Sequence, residues 1–239
     1  MFENRVVLIT GVSRDTGLGY ETAKRLKELG LTVIITARNL NVVSNLGEKL
    51  GVEAKQLDIT DKESVENLVA SITQQYGKLD VLINNAGGYF DQDSDLLTVD
   101  INFMKEALDL NLFGALRMIQ SFIPLLKLGS NGIIVNVTSG IGSFSDPIFG
   151  LASYYADVPA FAISKLALSG LTVKLAKRLK EDQIKINAVC PGFVATTPGL
   201  EDYGARSVTE GANGIVWAAT LPKDGPTGGL FRDGEAINW

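Results

Sequence analysis

A glycine-rich segment near the start of the chain has residue types and spacing that suit dinucleotide binding. It runs Thr10-Gly11-Val-Ser-Arg-Asp-Thr-Gly17-Leu-Gly19 and follows the short apolar run Val6-Val-Leu-Ile9. Glycines let a backbone turn sharply and approach a pyrophosphate, whose charge then lies at the N-terminus of the next helix. A Gly-x-Gly pair alone is a weak signal, but its place between a strand and a helix predicts a nucleotide-binding loop.

The groups available for proton transfer are restricted. The sequence has no histidine and one cysteine, Cys190. This excludes Ser-His-Asp and Cys-His arrangements and every histidine-containing metal site, so acid-base chemistry must use Tyr, Lys, Asp or Glu. Asp58 has no carboxylate cluster around it, so we expect no metal site. Cys190 is expected to pack in the core, with a reactive thiol as the alternative, and it cannot form an internal disulfide, which suits a reducing compartment.

Short apolar segments alternate with longer amphipathic segments along the chain. The intervening segments have helical spacing of apolar residues, as at Ala23, Leu26 and Leu29. We therefore predict a doubly wound parallel sheet of about seven strands flanked by helices, of the Rossmann type, in one domain over residues 1–239. The predicted buried strands, and a last strand, are Val6-Val-Leu-Ile9, Val33-Ile-Ile35, Val81-Leu-Ile83, Ile133-Ile-Val-Asn-Val137, Ile184-Lys-Ile-Asn-Ala-Val189 and Leu230-Phe231.

Local signals mark two helix ends. Gly30 follows Arg25-Leu-Lys-Glu-Leu29, where it predicts the end of the first helix. Thr60-Asp-Lys-Glu63 has the form of a capping box, which predicts a helix starting after Thr60. Both signals agree with the alternating pattern.

Polar residues and glycines follow several of the predicted strands. Asn84-Asn-Ala-Gly87 follows the strand Val81-Leu-Ile83, Ser139 follows the strand that ends at Val137, and Pro191-Gly192 follows the strand that ends at Val189. Asn111 lies in a long predicted helix. Open α/β sheets bind ligands at the carboxyl ends of their strands. We therefore expect these residues to meet in one ligand site.

With these motifs the chain resembles the short-chain dehydrogenase/reductase family over essentially its whole length. The segment Pro159-Ala-Phe-Ala-Ile-Ser-Lys165 most resembles bacterial and plant carbonyl-reductase-like members. The resemblance implies a cofactor loop, an adenine contact, the Asn-Asn-Ala-Gly signature and a nicotinamide loop. The implied cofactor-binding residues are Gly11, Ser13, Arg14, Gly17, Leu18, Gly19, Arg38, Asp58, Ile59, Asn85, Ala86, Gly87, Lys165, Pro191, Gly192, Val194 and Thr196.

The resemblance also implies hydride transfer between a nicotinamide and a small ketone or aldehyde. Ser139, Asn111 and Lys165 fall on three of the family's four catalytic positions. By the resemblance, Ser139 would bond the carbonyl oxygen, Lys165 would contact ribose hydroxyls, and Asn111 would hold a water that relays protons. In the family a tyrosine four residues before the lysine supplies the proton, and the nearby ammonium favours its phenolate.

Phe161 occupies the position of that tyrosine and has no hydroxyl group. Losing one positioned acid typically lowers a rate by about 10²–10⁴-fold. Three explanations stay open: an engineered Tyr-to-Phe variant, a natural noncatalytic relative, or a proton donor elsewhere. Tyr154 and Tyr155 are candidates for the last, although neither lies four residues before a lysine.

An insertion is expected between Ser139 and Phe161, which lie 22 positions apart, further than in compact family members. It would form either a lid over an apolar or aromatic substrate or a surface loop over the fifth and sixth strands. Such insertions often obstruct the family's dimer helices, so we expect a monomer, with a homo-oligomer as the alternative. Its apolar and aromatic residues are Phe144, Pro147, Ile148, Phe149, Leu151, Tyr154 and Tyr155.

Cofactor choice depends on the end of the second strand. It reads Thr36-Ala-Arg38, without the acidic residue that would bond the adenosine ribose and repel a 2′-phosphate. Arg38 therefore favours NADP(H) over NAD(H), and Arg14 and Ser13 could bind the same phosphate. The alternative is that these arginines are solvated surface residues.

Composition limits the classes of partner. The chain has 239 residues, 46% of them hydrophobic, and a net charge of −5 without a basic stripe, so we expect a globular protein that does not bind nucleic acid. No uninterrupted apolar run approaches about 18 residues and the N-terminus lacks a small-residue cleavage site, so we expect a cytoplasmic protein without a membrane partner.

The predicted function is that of an NADPH-dependent carbonyl reductase, attenuated or inactivated by Phe161. One alternative is a noncatalytic NADP(H)-binding protein whose cofactor changes a partner-binding surface. Another is nonredox chemistry in the same pocket, with Lys165 and bound cofactor as an electrostatic site.

Overall fold

The computed structural model describes residues 4–88, 91, 95–147, 149–152 and 158–239, in which strands and helices alternate. The strands are β1 (Val6–Ile9), β2 (Thr32–Ala37), β3 (Glu53–Gln56), β4 (Val81–Asn84), β5 (Ile133–Val137), β6 (Lys185–Val189), β7 (Leu230–Arg232) and β8 (Glu235–Ile237). The α-helices are α1 (Leu18–Glu28), α2 (Leu40–Leu50), α3 (Lys62–Tyr76), α4 (Ile101–Leu108), α5 (Ala115–Leu128), α6 (Pro159–Leu179) and α7 (Val208–Ala219). A π-helical segment, Asp109–Gly114, joins α4 to α5.

The strands form one sheet in the order β3-β2-β1-β4-β5-β6-β7-β8. All neighbours pair in parallel except β7 and β8. The strand order reverses between β1 and β4, which leaves a crevice at their carboxyl ends. The predicted doubly wound fold and its buried strands are confirmed.

The described chain has one strand more than the predicted seven. β8 turns back on β7 through Asp233 and Gly234, which both have positive φ, at 53° and 87°. An Asp-Gly pair with two positive φ angles is the preferred two-residue hairpin turn. The sequence therefore carried a signal for β8.

The sheet is buried on both faces because alternate residues of each strand enter different cores. In β1, Val7 and Ile9 lie in the core beneath α1, α2 and α7. Val6 and Leu8 lie in the opposite core, beneath α3, α5 and α6. This two-sided burial explains why the strands read as unbroken apolar runs.

The helix-end predictions had different outcomes. Gly30 follows the end of α1 in the left-handed region, at φ 87°, as predicted. The start of α3 was placed one residue too early: the cap is Asp61, whose carboxylate accepts the N–H groups of Glu63 and Ser64. The Thr60 hydroxyl donates to Asp58 instead, at 2.7 Å.

Helix α6 is long and apolar enough, by length and composition only, to cross a membrane, and half of its most apolar 18-residue window is buried. Polar groups tie its inner face to the sheet, since the Asn136 amide of β5 donates to the Thr172 hydroxyl at 2.9 Å. These features are typical of an internal helix packed on a sheet.

The start of α3 gives a stability prediction. Asp61→Ala should lower the free energy of unfolding by about 1 kcal/mol, because two first-turn N–H groups lose their acceptor. Glu63→Ala should lower it by only a few tenths, since Glu63 is not the reciprocal partner of this cap. Urea unfolding of both variants tests this, and a larger loss for Glu63→Ala would contradict it.

Candidate cofactor and active site

The glycine loop packs against the segment that follows β4. Gly11 has φ 73°, and a Cβ built on it would lie 2.5 Å from Ala86 Cα. A Cβ on Gly19 would lie 2.6 Å from Asn85 Nδ2. The Asn85 amide donates to the Thr10 carbonyl at 2.8 Å, and the Thr10 hydroxyl accepts the N–H groups of Asn85 and Ala86. An added side chain would meet backbone atoms at Gly11 and the hydrogen-bonded Asn85 amide at Gly19, so glycine at both positions lets the two loops approach closely.

The N-terminus of α1 fits a pyrophosphate. Gly17 is the N-cap and provides no side-chain acceptor for the first-turn N–H groups. Among those groups the Tyr20 N–H donates to the Gly17 carbonyl at 3.1 Å, and the helix dipole makes this end electropositive. Leu18 is half-buried beside them, while Ser13 and Arg14 are exposed on the loop that leads into the helix. An anionic group is therefore favoured at this end of α1.

The predicted adenosine end is a polar cleft after β2 and β3. Arg38 is exposed there, and Asp58, Asp61 and Glu63 line the same cleft. Asp58 Oδ1 accepts the N–H of Thr60 at 2.9 Å, which fixes its orientation. The cleft therefore combines a guanidinium that suits a phosphate with carboxylates that oppose one.

Ile59, the other predicted residue here, is buried rather than open to the cleft. Its side chain packs against Gly114, where an added Cβ would lie 2.6 Å from Ile59 Cδ1. Its carbonyl accepts a hydrogen bond from Arg117 at 2.5 Å. Ile59 thus connects the adenosine end to the π-helical segment.

Lys165 is a buried cation at the carboxyl end of β5. Its Nζ donates to the Val137 carbonyl at 3.0 Å and lies 5.5 Å from the centroid of the Phe161 ring. Burial lowers the pKa of Lys165 to about 8. The Phe161 ring itself is 8% exposed. The four-residue spacing therefore places both side chains on one face of α6, as the sequence predicted.

Asn111 lies in the π-helical segment rather than in a regular α-helix. Its amide nitrogen donates to the Gly88 carbonyl and to the Ser164 hydroxyl, at 2.9 Å and 3.0 Å, and its oxygen accepts the Gly88 N–H. A Cβ on Gly87 would lie 3.0 Å from both Asn111 Oδ1 and Lys165 Nζ. Gly87, Asn111 and Lys165 are thus brought together, and π-helical turns are frequent at such sites.

Ser139 begins a 3₁₀ turn, Gly140–Gly142, immediately after β5. Its Oγ accepts the Ile141 N–H at 3.4 Å, and its side chain is half-buried. Ser139 lies two residues beyond Val137, the residue whose carbonyl binds Lys165. The hydroxyl hydrogen of Ser139 can therefore be donated to a substrate at this edge of the sheet.

The predicted nicotinamide loop follows β6. Pro191 is buried, and Gly192 has φ 81°. Val194 pairs with Arg206 in an isolated bridge, and the Thr196 N–H donates to the Val194 carbonyl at 2.8 Å. These contacts give the loop a fixed path beside the Ser139 turn.

Asp91 is a buried carboxylate that the sequence did not indicate. It accepts the N–H groups of Ala160 and Phe161, at 2.8 Å and 3.2 Å. The local N-cap of α6, Val158, contributes no side-chain bond, so a distant residue caps the helix that carries Phe161 and Lys165. No local spacing connects Asp91 with this helix.

The insertion is described in part. The Phe149 ring lies 6.4 Å from the ring of Phe193, at the nicotinamide loop, while Phe144 is 63% exposed and Pro147 is also exposed. This part of the insertion therefore lies beside the carboxyl end of β6. Leu151 is half-buried. Ile148, Tyr154 and Tyr155 lie outside the described residues. The prediction that one of the two tyrosines donates the proton therefore falls outside the described part of the chain.

The doubly wound fold, with a glycine loop after its first strand, is typical of proteins that bind dinucleotides. The sequence pattern of the short chain dehydrogenase family matches residues 5–205, and the chain belongs to that family. (+)-Neomenthol dehydrogenase of Arabidopsis thaliana is 30% identical, with 98% of this chain and 97% of the relative covered. The 3-oxoacyl-(acyl-carrier-protein) reductase FabG of Thermotoga maritima is 34% identical over 81% of this chain and 76% of the relative.

Two solved structures are similar throughout. The NADPH-bound carbonyl reductase from chicken fatty liver has a TM-score of 0.86 and 25% identity, with 99% of this chain and 100% of that chain covered. A metagenomic short-chain oxidoreductase in complex with NADP has a TM-score of 0.77 and 25% identity, covering 97% of both chains. The chain is thus a short-chain oxidoreductase with carbonyl-reductase-like structural neighbours.

Burial of Lys165 gives a pH-dependent stability prediction. Between pH 8 and 10.5 the unfolded chain binds a proton at Lys165 that the folded protein lacks, so stability rises with pH across this window. Below pH 8 both states are protonated and the burial penalty is fully present. Lys165→Met should therefore stabilise the cofactor-free protein at pH 7 by on the order of 1–3 kcal/mol, an advantage that shrinks toward pH 10.5.

Urea unfolding at both ends of this window measures the effect. Lys177→Met, at an exposed position of the same helix, is the matched control and should change stability by less than about 0.5 kcal/mol. An advantage of Lys165→Met that is equal at both pH values would contradict the assignment of a buried cation.

The cap provided by Asp91 gives a second prediction. Asp91→Ala should lower the free energy of unfolding by about 1–2 kcal/mol, because two N–H groups at the positive end of α6 lose a charged acceptor. Hydrogen exchange should accelerate at the Ala160 and Phe161 amides. Asp202→Ala, at an exposed site, is the control. Unchanged exchange at those two amides would show that Asp91 does not cap α6.

Proposed function

We propose that this chain is an NADPH-dependent carbonyl reductase whose turnover is limited by Phe161. The observation that carries the proposal is the grouping of Lys165 with Gly87 and Asn111 around a buried ammonium. A buried cation without a charged partner lowers the stability of the folded protein. Such groups are concentrated at functional sites. We also propose that residues 1–239 form one domain that acts on a small ketone or aldehyde.

A bound nicotinamide cofactor would supply the hydride, and the residues of this chain would bind, orient and protonate the substrate. The Ser139 hydroxyl would donate to the carbonyl oxygen, whose negative charge grows as the hydride arrives. The Lys165 ammonium would bond the ribose hydroxyls and stabilise that charge. Because the pKa of Lys165 is about 8, its proton is released more readily near neutral pH than that of an ordinary lysine.

Asn111 would hold the water that brings protons to Lys165. Its amide is already fixed by three hydrogen bonds, to both backbone groups of Gly88 and to Ser164. Its Oδ1 faces the same space beside Gly87 as the Lys165 ammonium. Both groups thus border Gly87, and a water held beside Gly87 by Asn111 would pass protons to Lys165.

Phe161 occupies the position at which the family carries its tyrosine acid. Its ring lies 5.5 Å from Lys165 Nζ, where the ammonium would act on a hydroxyl at the ring edge. Without that hydroxyl the proton must reach the substrate through water, which lowers the rate by about 10²–10⁴-fold. Phe161 therefore preserves the shape of the site and removes its acid.

NADP(H) is proposed over NAD(H) because Arg38 follows β2 directly, at the position where an acidic residue would favour NAD(H). Similarity to an NADPH-bound and an NADP-bound structure supports this preference. The carboxylates of Asp58, Asp61 and Glu63 in the same cleft oppose a 2′-phosphate. We therefore expect the preference to be moderate and to depend on Arg38.

Phe161 also favours a second candidate function, that of a noncatalytic NADP(H)-binding protein. Such a protein needs the cofactor loops and the ribose contact but not the acid. It would bind NADPH without oxidising it in the presence of carbonyl compounds.

Replacing Phe161 decides between these functions. Phe161→Tyr should raise kcat by about 10²-fold or more, because it restores a positioned acid beside Lys165. NADPH oxidation is followed with a panel of aldehydes, ketones and quinones at equal cofactor occupancy, and again with NADH. Phe113→Tyr, which adds a hydroxyl at an exposed position, should leave the rate unchanged. If neither the unchanged chain nor the Phe161→Tyr variant oxidises NADPH with any compound of the panel while both bind NADPH, the proposed reductase function is wrong. The noncatalytic binding function is then favoured.

A further inference from the structure

The guanidinium of Arg232 is directed into the protein, behind the Ser139 turn. Its Nη2 donates to the Asp146 carboxylate and also to Cys190 Sγ, at 3.3 Å. The Asp146 side chain is 2% exposed, as is Cys190, whereas the Arg232 side chain is 22% exposed. A carboxylate so deeply buried needs a cation beside it, and Arg232 provides the ion pair.

Cys190 connects this ion pair with the two loops at the carboxyl ends of β5 and β6. Its Sγ accepts the N–H of Gly140, in the Ser139 turn, at 3.0 Å and the N–H of Gly192 at 3.4 Å. A Cβ on Gly140 would lie 2.8 Å from Asp146 Oδ2 and 2.9 Å from Arg232 Nη2. The backbone next to Ser139 therefore packs directly on the ion pair.

Asp146 in turn orders the aromatic part of the insertion. Its Oδ1 accepts the Phe149 N–H at 2.9 Å, and its own N–H donates to the Ser143 hydroxyl at 3.0 Å. This turn directs the Phe149 ring toward Phe193. Phe149 and Phe193 together are called the aromatic wall.

The β7–β8 hairpin holds the same segment from the other side. The Ser143 hydroxyl donates to the Asn238 carbonyl at 2.9 Å, and the Ser145 hydroxyl donates to the Trp239 carbonyl at 3.0 Å. Arg232 belongs to the same hairpin. Among the described residues, Ser143, Ser145 and Asp146 of the insertion contact the hairpin or the two residues that follow it, and the Arg232 guanidinium among these contacts also packs on Gly140 of the Ser139 turn.

We propose that Arg232 is a positioning residue that sets the aromatic wall relative to Ser139, through Asp146 and Cys190, and thereby selects ketones with an aromatic or bulky apolar substituent. The selection rests on the proposed reductase function. A carbonyl bonded to Ser139 places its substituents at a fixed distance from that side chain, so a shift of the wall changes the fit of a bulky substituent more than that of a methyl group.

The activity test uses the Phe161→Tyr background. Arg232→Met keeps the aliphatic stem and removes the charge and the donors. It should lower kcat/KM for an aryl ketone by about 10-fold or more, and that for a small aliphatic ketone by less than about 3-fold, with the Kd of NADPH within about 3-fold. Arg232→Lys should recover only part of the loss, because it restores a cation beside Asp146 without the planar fork of donors that also reaches Cys190.

Two further variants separate positioning from stability. Arg232→Met combined with Asp146→Asn avoids an unpaired buried carboxylate and should fold if Arg232→Met alone does not. Arg178→Met removes an arginine that is also ion-paired, with Asp182, but is 68% exposed, and it should leave the ketone preference unchanged. Equal losses for both ketones, or the same change in Arg178→Met, would overturn the proposal.

A second readout needs no turnover, because Cys190 is the only cysteine of the chain. Its reaction with a small disulfide reagent reports opening of the contact between the two loops. In the otherwise unchanged chain with NADPH bound, Arg232→Met should accelerate labelling by about 10-fold beyond the change calculated from its free energy of unfolding, and Arg178→Met should not. Labelling that follows global unfolding alone would show that Arg232 positions nothing. Accelerated labelling without turnover in the Phe161→Tyr background would reject the reductase function and retain the positioning role.

Discussion

β1 pairs in parallel with both β2 and β4, and this pairing determines where the loops of the site meet. It places the strand-order reversal at β1, so the loops after β1 and β4 must lie side by side. That closeness determines local residue choice: glycine at positions 11 and 19, and a Thr10 hydroxyl that accepts two N–H groups of the neighbouring loop. The cofactor loop is therefore a consequence of sheet topology as much as of its own sequence.

Two buried charges at the carboxyl edge of the sheet are handled in different ways. Lys165 is compensated by a backbone carbonyl and an aromatic ring, which leaves its ammonium free to act on another group and keeps its pKa near 8. Asp146 is compensated by an ion pair with Arg232, which fixes its place behind the Ser139 turn. The weakly compensated charge of Lys165 thus belongs to the proposed reactive site, and the ion-paired charge of Asp146 holds two loops in place.

Sequence patterns predicted what depends on local periodicity and failed where side chains meet across the chain. The buried strands and the glycine loop followed from apolar runs and spacing, and even β8 had a signal in its Asp-Gly turn. By contrast, Asp91 caps a helix that begins 68 positions later. The contacts of Arg232 with Asp146 and Cys190 span 86 and 42 positions. Nothing in local spacing encodes such pairs, because the fold alone brings them together.

The π-helical segment that carries Asn111 also restricts how this chain can change in length. A π turn contains one residue more than an α turn, in which successive residues are rotated by about 100° about the helix axis. Deleting one residue between Asp109 and Gly114 would return the segment to a regular α-helix and remove the turn from which Asn111 contacts Gly88. The length of this segment is therefore tied to the contacts of Asn111, whereas the loops between the helices and strands have no such requirement of a fixed residue number.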